Sequence, residues 1–407
     1  MNNSIYTHMK TYPEHKNKSK DTSVKERTAK QYTLFPKGRK KLEKMIENEI
    51  KKQGCNADLN HIDVSKIRDF SRLFENSNFN GDISRWNVSK ATNMDEMFIH
   101  TSFNGDISEW DVSKVESMHG MFRDSMFNGD VSCWDVSNVK NMGWMFAKSD
   151  FDGDISNWDV SNVTDMSEMF SGAESFNQDL SGWDVSNVTN MNGMFCNSNF
   201  NGDLSTWDVR NVTDMSNMFI GSKFNGNLKR WNTKNVKNMS SMFMYCQSFN
   251  QDLSRWNVSN VTNMKYMFYD CKVFDQDLSK WDVSKAENMV GMFENAESFN
   301  SDISEWNVSK VTDMSDMFFR CKMFNSDLSR WNVSSVTNME SMFDCASSFN
   351  QDISSWNVSN VASMNNMFYK CTSFNQDLSG WDVSNVKTYH HMFDDCPCPK
   401  KHRPKFM

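Results

Sequence analysis

Residues 176–199, FNQDLSGWDVSNVTNMNGMFCNSN, decide the fold, because close copies of this stretch fill most of the 407-residue chain. An internal period of this length is typical of solenoid proteins. A degenerate first unit, NHIDVSKIRDFSRLF, has Ile62 at the position that tryptophan takes in the others, so the period predicts about 14 units over residues 57–396. The repeat tryptophans, spaced 24 or 25 residues apart, are Trp86, Trp110, Trp134, Trp158, Trp183, Trp207, Trp231, Trp256, Trp281, Trp306, Trp331, Trp356 and Trp381.

The pattern of apolar residues within a unit predicts its local structure. Residues 179–183 favour an extended strand, and residues 190–195 have apolar side chains three and four apart, which suits one helical or 3₁₀ turn. One unit cannot bury its apolar side chains alone, but stacked units bury them against each other. We therefore predict a repeat solenoid that is mainly β with short helical or 3₁₀ turns. The predicted core positions of a unit are Phe176, Leu180, Trp183, Val185, Val188, Met191, Met194 and Phe195.

The N-terminal end of the array carries a helix signal. Leu42, Met45, Ile46 and Ile50 fall on one helical stripe, and Gly54 is placed to end the helix. Such a helix would cover the open edge of the first coil. We therefore predict four regions: a basic, disordered arm at 1–34, a capping helix at 35–56, the solenoid at 57–396 and a basic tail at 397–407.

Charge is unevenly distributed along the chain. Residues 1–53 carry 14 Lys and Arg against 6 Asp and Glu, whereas residues 54–399 carry 26 against 46. A basic arm can seek anionic surfaces such as nucleic acid or lipid headgroups. The acidic repeats argue against nucleic acid lying along the solenoid itself.

The repeated stretch SFNQDLSGWDVSNVTNMNGMF, residues 175–195, resembles the bacterial BspA-type leucine-rich-repeat surface proteins. It is similar to the branch of that family first noted beside mycoplasma lipoproteins and long labelled a domain of unknown function. The segment PKGRKKLEKMIENEIKKQG, residues 36–54, is similar to the helix that opens such arrays. The resemblance covers roughly residues 36–396. It implies a leucine-rich-repeat-like, right-handed solenoid that acts in adhesion or protein recognition, often at a bacterial or mycoplasma surface, without catalytic residues.

Location and chemistry are less directly encoded. No stretch approaches the roughly 20 apolar residues of a membrane span, and residues 1–20 lack the apolar run of a secretory signal. The sequence alone therefore predicts a cytoplasmic protein, whereas the resemblance implies the cell surface. With 8 histidines and no recurring nucleophile and base, the chain is predicted to be no enzyme and to need no cofactor or small-molecule substrate.

Two polar columns run through the repeats. The aspartates are predicted to accept backbone N–H groups in their own turns, with calcium binding as the alternative. The asparagines are predicted to form an amide ladder from coil to coil. The aspartates are Asp82, Asp106, Asp130, Asp154, Asp179, Asp203, Asp252, Asp277, Asp302, Asp327, Asp352 and Asp377; the asparagines are Asn80, Asn104, Asn128, Asn177, Asn201, Asn225, Asn250, Asn300, Asn325, Asn350 and Asn375.

Five cysteines share one repeat position with two alanines, which predicts a small, buried side chain and free thiols. The alternatives are a disulfide between neighbouring coils, such as Cys246 with Cys271, and a zinc site at the C-terminal end. The five cysteines are Cys246, Cys271, Cys321, Cys371 and Cys396, and the zinc ligands would be Cys396, Cys398, His390 and His402.

Positions that differ between units are the candidates for partner binding. The residue before each repeat tryptophan varies, and four basic residues there suggest a contact for an acidic partner. Aromatic residues follow Met-Phe or lie between the two methionines of a unit, and exposed aromatic rings are typical interface anchors. The basic candidates are Arg230, Arg255, Lys280 and Arg330; the aromatic candidates are Tyr245, Tyr269, Phe319, Tyr369, Trp144 and Tyr266.

These patterns together predict a non-enzymatic protein-recognition or adhesion scaffold, bacterial and surface-associated, whose partner is a protein. Two alternatives stay open. One is a structural or cation-stabilised rod without a specific partner. The other is an intracellular effector whose basic arm docks on an anionic membrane or nucleic acid.

Overall fold

The computed structural model describes residues 32–406, so the predicted arm at 1–34 lies outside the described residues except for its last three. Two helical segments occur in this range: α1, Arg39–Gln53, and one turn of 3₁₀ helix, Lys400–His402. Between them the chain forms hydrogen-bonded turns joined by isolated parallel β-bridges. The repeats thus build their coils from turns, with no helix or strand of their own in the described range.

One column of parallel bridges holds the coils in register. It begins with Asp69 paired to Asn93 and ends with Ser363 paired to Thr388, so that 13 bridges join 14 coils. In the coil of residues 176–199 the bridging residue is Asn190, which comes directly before the first methionine. Every unit therefore forms one coil, and the predicted repeat solenoid is confirmed.

The predicted strand at 179–183 is wrong. The N–H of Trp183 donates to the carbonyl of Leu180 at 3.1 Å, which closes a turn inside this segment. The Asp179 Oδ1 accepts the N–H of Ser181 at 2.9 Å and fixes the same turn. Two local bonds within five residues leave no extended run to pair with a neighbour, because aspartate and serine compete for the backbone.

The segment at 190–195, predicted as one helical or 3₁₀ turn, closes a turn through the N–H of Met194 and the carbonyl of Met191 at 3.3 Å, but it does not form a helix. The N–H groups of Met191, Gly193 and Phe195 donate to carbonyl groups of the next coil at 2.9–3.0 Å. Gly193 has a φ of 61°, and the equivalent Glu168 one coil earlier has a φ of 51°. A left-handed residue interrupts α-helical bonding and turns alternate N–H groups along the solenoid axis. We call these bonds the axial ladder; in this coil its donors are Met191, Gly193, Phe195 and Asn197.

Columns of identical side chains form the core. All eight predicted core positions of the unit at 176–199 are buried. Phe195 stacks on Phe170 of the preceding coil with 5.8 Å between ring centroids, and Phe170 also lies 4.0 Å from Phe176. The Trp183 Nε1–H donates to the carbonyl of Ile155 at 3.1 Å, which satisfies the only polar atom of the ring. The tryptophans therefore face the interior and bond each coil to the one before it.

Equivalent rings of successive coils are regularly spaced along the stack. Their centroids lie 5.4–5.9 Å apart at the phenylalanines that follow methionine, such as Phe195, and 6.2–6.5 Å apart at stacked tryptophans such as Trp207 and Trp231. The step between coils is therefore larger at the tryptophan column than at this phenylalanine column.

Helix α1 covers the N-terminal end of the core. Leu42 and Ile46 are buried in the same apolar cluster as the coils. The Arg39 guanidinium bonds Asp69 Oδ2 at 3.0 Å and Ser71 Oγ at 2.6 Å in the first coil. The apolar stripe of this helix therefore serves as the cap of the array.

The last coil is covered in part by the residues that follow it. The ring of Phe406 stacks on Tyr389 with 3.9 Å between centroids. The Arg403 guanidinium lies 4.8 Å above the ring of Phe393, a cation–π contact that shields this ring from water. The basic tail thus packs on the final coil with one arginine and one aromatic ring.

All ten cysteines are free thiols. The Cys246 Sγ–H donates to the carbonyl of Phe219 at 2.8 Å, and the Cys271 Sγ–H donates to that of Phe243 at 2.9 Å. Burial raises the pKa of Cys246 to about 12. Cys246 and Cys271 are not joined by a disulfide, and each instead ties its coil to the preceding one.

Thiol reactivity should separate these cysteines sharply. Exposed Cys55 and Cys133 are expected to react with an alkylating reagent at pH 8 in the native protein. Buried Cys246 should react on the order of 1000-fold more slowly, because the thiolate is the nucleophile and its pKa is raised. Peptide mass spectrometry over time measures each site. Equal labelling of Cys133 and Cys246 without denaturant would contradict the packing described above.

Candidate functional site

The aspartate column serves the turns of its own coils. The Asp203 Oδ1 accepts the backbone N–H of Ser205 at 2.8 Å, as Asp179 does from Ser181. Hydrogen bonds from the side chain and backbone of Ser205 lower the pKa of Asp203. The neutral Asn227 makes the same bond to the N–H of Lys229 at 3.0 Å, so a charge is not needed there. The predicted own-turn bonding is confirmed.

The asparagine column joins neighbouring coils through the backbone. The Asn80 Oδ1 accepts the N–H of Asn104, and the Asn104 Oδ1 accepts the N–H of Asn128, both at 2.9 Å. The predicted coil-to-coil amide ladder is therefore confirmed, with a backbone N–H as the donor to each amide oxygen. The donor is a backbone N–H and not a side-chain amide, because the spacing of the coils brings the next main-chain N–H within hydrogen-bonding distance of each amide oxygen.

No group of three or more His, Cys, Asp or Glu side chains that could hold a metal ion occurs within residues 32–406. At the suggested zinc position, the Cys396 Sγ–H points to the carbonyl of Phe374 at 3.5 Å and the Cys398 Sγ–H to that of Gln376 at 3.6 Å. In the same range, no helix is long and apolar enough to cross a bilayer.

The basic candidates lie exposed beside the tryptophan column. Arg230 and Arg255 precede Trp231 and Trp256, whose ring centroids lie 6.2 Å apart on successive coils. The two arginines therefore occupy equivalent positions on neighbouring coils. Lys280 continues the row, whereas Arg330 is paired to Glu305. Arg230, Arg255 and Lys280 form no ion pair with any residue of the described range.

Three of the six aromatic candidates meet on the side that carries the axial ladder. The ring of Tyr269 contacts Tyr245 edge-on at 5.1 Å and Tyr266 edge-on at 5.7 Å between centroids. Tyr245 is 45% exposed, and the other two are half-buried. The three rings therefore form one continuous surface across adjacent coils.

The other three aromatic candidates stand apart, each beside a cation of the same chain. The Arg123 guanidinium lies 4.1 Å above the ring of Trp144. The remaining contacts, each 4.9 Å long, are those of Arg320 with Phe319 and of Lys370 with Tyr369. Tyr266 shares this feature, because the Lys265 Nζ lies 4.8 Å above its ring, so the two sets differ in whether their rings contact each other and not in the nearby cation.

Two carboxyl groups extend the surface of the three tyrosines. Glu294 occupies the position of Tyr269 one coil further on, and Asp316 occupies that of Tyr266 two coils further on. The Tyr266 ring reaches across the coil between, since a Cβ on Gly291 would lie 2.3 Å from it. We call Tyr245, Tyr266, Tyr269, Glu294 and Asp316 the tyrosine–acid patch.

Burial and like charge shift the acid–base equilibria in the tyrosine–acid patch. Burial, together with Asp316, raises the pKa of Glu294 to about 7. Burial, together with the carboxylate of Glu340, raises the pKa of Asp316 to about 6. Both carboxyl groups lack a salt bridge within the described residues, so a cation brought by a partner would stabilise their charged forms.

The acidic half of the patch was not predicted from the sequence, although a signal was present. Aligning the units places Glu294 beside Tyr269 at a separation of 25 residues, the length of one coil. Residues of one type are recognisable down a column of repeats, whereas Tyr269 and Glu294 are different residue types at the same position of neighbouring coils. The structure therefore adds Glu294 and Asp316 to the predicted aromatic set.

The raised pKa of Glu294 predicts how stability depends on pH. The pKa of Glu294 is about 7 in the native state and near 4.5 in the unfolded chain, so the native state binds the carboxyl proton more tightly. This difference stabilises the protein below pH 4.5, and the stabilisation is lost as the pH rises through about 7. Glu294→Gln should therefore stabilise the protein at pH 8 by about 1–2 kcal/mol, after discounting for partial exposure. The gain should vanish near pH 4.

Thermal unfolding of both proteins at pH 4, 6 and 8 measures this effect, with Glu287→Gln as the control. Glu287 is exposed on the same coil and should leave the profile unchanged. A Glu294→Gln protein that is no more stable than the native protein at pH 8 would show that this carboxyl group is ordinarily solvated.

Comparison with solved structures gives only distant likenesses. A leucine-rich repeat protein from Eubacterium ventriosum is 12% identical, with 79% of this chain and 82% of that chain covered and a TM-score of 0.33. The TLR13–ssRNA13 complex is 11% identical, with 81% of this chain and 68% of that chain covered and a TM-score of 0.16. No curated protein matches the chain.

The repeats themselves match a family model. The model described as "Mycoplasma protein of unknown function, DUF285" matches four overlapping segments, residues 40–150, 125–223, 196–306 and 291–405. Together these segments span α1, all coils and the tail that covers the last coil. The chain therefore belongs to the DUF285 family of mycoplasma repeat proteins.

Proposed function

We propose that the protein is a non-enzymatic recognition scaffold and that a protein partner docks at the tyrosine–acid patch, on the side that carries the axial ladder. The observation that carries this proposal is the continuous surface of Tyr245, Tyr266 and Tyr269 beside Glu294 and Asp316. The fold does not need these side chains, because the axial ladder uses backbone atoms and other residue types occupy the same positions in other coils.

The chemistry of the patch favours a partner segment that carries lysine or arginine. Tyrosine rings attract cations through their faces, and the two carboxyl groups supply opposite charge where burial has weakened their solvation. Tyrosine is also among the residues that carry most of the binding energy at protein interfaces. A basic side chain seated between Tyr269 and Glu294 would make both contacts at once.

The patch can be tested with a triple variant, Tyr245→Ser, Tyr266→Ser and Tyr269→Ser. A partner cross-linked to the native protein should bind this variant at least about 100-fold more weakly, since each aromatic anchor contributes on the order of 1–2 kcal/mol. The matched control replaces three exposed apolar residues elsewhere: Met126→Ser, Val273→Ser and Met323→Ser. Equal affinity of the purified partner for the native protein and the patch variant would refute the proposal.

The wider setting is also proposed. The resemblance to BspA-type proteins supports a right-handed, leucine-rich-repeat-like winding and an adhesive role at a bacterial surface. Antibody labelling of intact cells tests the location. Labelling that appears only after permeabilisation would refute the surface location without affecting the proposed recognition role. The basic candidates Arg230, Arg255 and Lys280 remain a second contact, beside the tryptophan column, for an acidic partner.

Two other candidate functions make different predictions. A cation-stabilised rod requires free carboxylates, yet the aspartate column is occupied by its own turns, so calcium should barely change the melting temperature. An effector that docks through residues 1–34 should lose its binding to anionic vesicles when they are deleted. A large rise in melting temperature with calcium would favour the rod instead.

A further inference from the structure

Every bond of the axial ladder points the same way along the solenoid. Each N–H donates to a carbonyl of the following coil, as Phe195 does to Met218 at 2.9 Å. The pattern continues to the last pair of coils, where the four distances are 2.8–3.0 Å. Those donors are Met364, Asn366, Phe368 and Lys370, and the acceptors are Thr388, His390, Met392 and Asp394.

The ladder consequently ends in unused donors. The equivalent N–H groups of the last coil belong to Tyr389, His391, Phe393 and Asp395, and none of them has an acceptor among residues 32–406. Backbone donors in folded proteins are nearly always paired, and an open edge is a template for another chain. The established interface between coils thus continues to the C-terminal edge and stops there with its donors free.

This edge is also electropositive. Peptide units aligned in one direction add their dipoles, with the N–H end positive, and a row of N–H groups attracts anions. The tail adds Arg403, which lies above the ring of Phe393, and Lys405, which precedes the Phe406 that stacks on Tyr389. The carboxylates of Asp394 and Asp395 offset these two cations, so the row of free N–H groups leaves the edge positive. An acidic partner therefore complements the edge.

The shape of the edge fits an extended chain. A cavity of ≈ 250 Å³ lies between the last coil and the tail, lined by Tyr389, His391, Phe393, Arg403 and Phe406 among others. The four donors are spread over seven residues, a reach of up to roughly 20 Å, which exceeds any small anion. Alternate carbonyl groups of an extended peptide point to one side and can face donors that are two residues apart.

We propose that the C-terminal edge of the last coil binds an extended, acidic peptide segment of another protein, whose backbone carbonyls accept the free N–H groups of Tyr389, His391, Phe393 and Asp395. The peptide takes the place of one more coil. This site is separate from the tyrosine–acid patch, and neither proposal depends on the other.

A second copy of the chain is the less suitable occupant. Its first coil does offer matching carbonyl groups, at residues 69, 71, 73 and 75, which accept no hydrogen bond within the described residues. Helix α1 lies over that end, however, and Arg39 is bonded to Asp69 and Ser71. Stacking two solenoids end to end would require this helix to leave the core.

The chain supplies a suitable probe peptide. Residues 311–319, VTDMSDMFF, already accept ladder bonds inside the solenoid through the carbonyls of Ser315, Met317 and Phe319 at 2.7–3.1 Å. This segment carries Asp313 and Asp316. Adding the peptide with blocked ends to the full chain should slow hydrogen–deuterium exchange at residues 387–396 by at least tenfold. The control peptide carries Asp313→Lys and Asp316→Lys and should give no protection.

Two variants of the full chain separate the backbone donor from the side chain. Tyr389→Pro removes both the N–H and the ring, whereas Tyr389→Ala removes the ring alone. The proline variant should bind the probe at least tenfold more weakly than the alanine variant. Equal affinity of the two would overturn the proposal.

The exchange experiment on the native chain stays decisive even if the proline variant fails to fold. Absence of protection at saturating peptide, or equal protection by the lysine control, would overturn the proposal. So would equal protection by inorganic phosphate alone, which would indicate an adventitious ion only. Protection that rises with protein concentration without peptide would assign the edge to a second copy instead.

Discussion

Replacing Phe243 by alanine is expected to destabilise the protein by about 3–5 kcal/mol, as for large core truncations, and to split its unfolding into two steps. Phe243 is fully buried in the middle of the array. Its ring stacks on Phe219 and Phe268 of the adjacent coils at 5.7 Å and on Phe249 at 4.0 Å. Removing it opens a cavity that weakens the interfaces on both sides at once.

The split follows from the one-dimensional architecture. In a solenoid each coil contacts only its neighbours, so stability is a sum of coil and interface contributions. A weak interface near coil eight separates two blocks that can then unfold independently. Urea unfolding followed by tryptophan fluorescence should change from one transition to two. Tyr245→Ala is the control, since this exposed ring lies two residues away and outside the core. A single, unshifted transition for Phe243→Ala would contradict the shared core.

The repeat spacing was enough to predict the stack and its interior. Trp183, Met191 and Phe195 are buried as predicted, because only a stacked register gives apolar residues of equal spacing a common interior. The conformation of the coil was not predictable in the same way. Left-handed backbone occurs at Gly193 but also at Glu168, so the residue type gives no reliable signal. Contacts with the neighbouring coils override the local preference.

The candidate site was predicted in part. Variation between units pointed to Tyr266 and Tyr269, which the structure places in contact. The same criterion selected Phe319, whose ring lies against Arg320. It missed Glu294, because the raised pKa of this residue arises from burial and from Asp316 one coil away. Variation between units marks positions that the fold leaves free, whereas contacts across coils decide which of them form one surface.

The two ends of the array differ in the backbone groups that they present and in how well they are covered. The N-terminal end presents carbonyl groups beneath α1, where Leu42 and Ile46 also seal the apolar core. At the C-terminal end, the tail covers Phe393 with Arg403 and leaves the ladder donors unpaired. Helix α1 covers the N-terminal end because its apolar stripe packs on the first coil as another coil would, whereas the short basic tail has no such stripe. Disrupting α1 should therefore lower the free energy of unfolding more than disrupting the tail.

Leu42→Asp is expected to undock α1 and to destabilise the first coils by about 3–5 kcal/mol, because it places an unpaired carboxylate in a fully buried position. Lys44→Asp introduces the same residue on the exposed face of the same helix and serves as the control. Hydrogen exchange should accelerate at residues 57–99 in the first variant only, and size-exclusion chromatography should reveal association through the uncovered edge. Coils far from this end should keep their protection, since each coil depends on its neighbours alone. Loss of protection along the entire chain would mean that the solenoid unfolds as one cooperative unit, and unchanged exchange at residues 57–99 would mean that α1 contributes nothing to the cap.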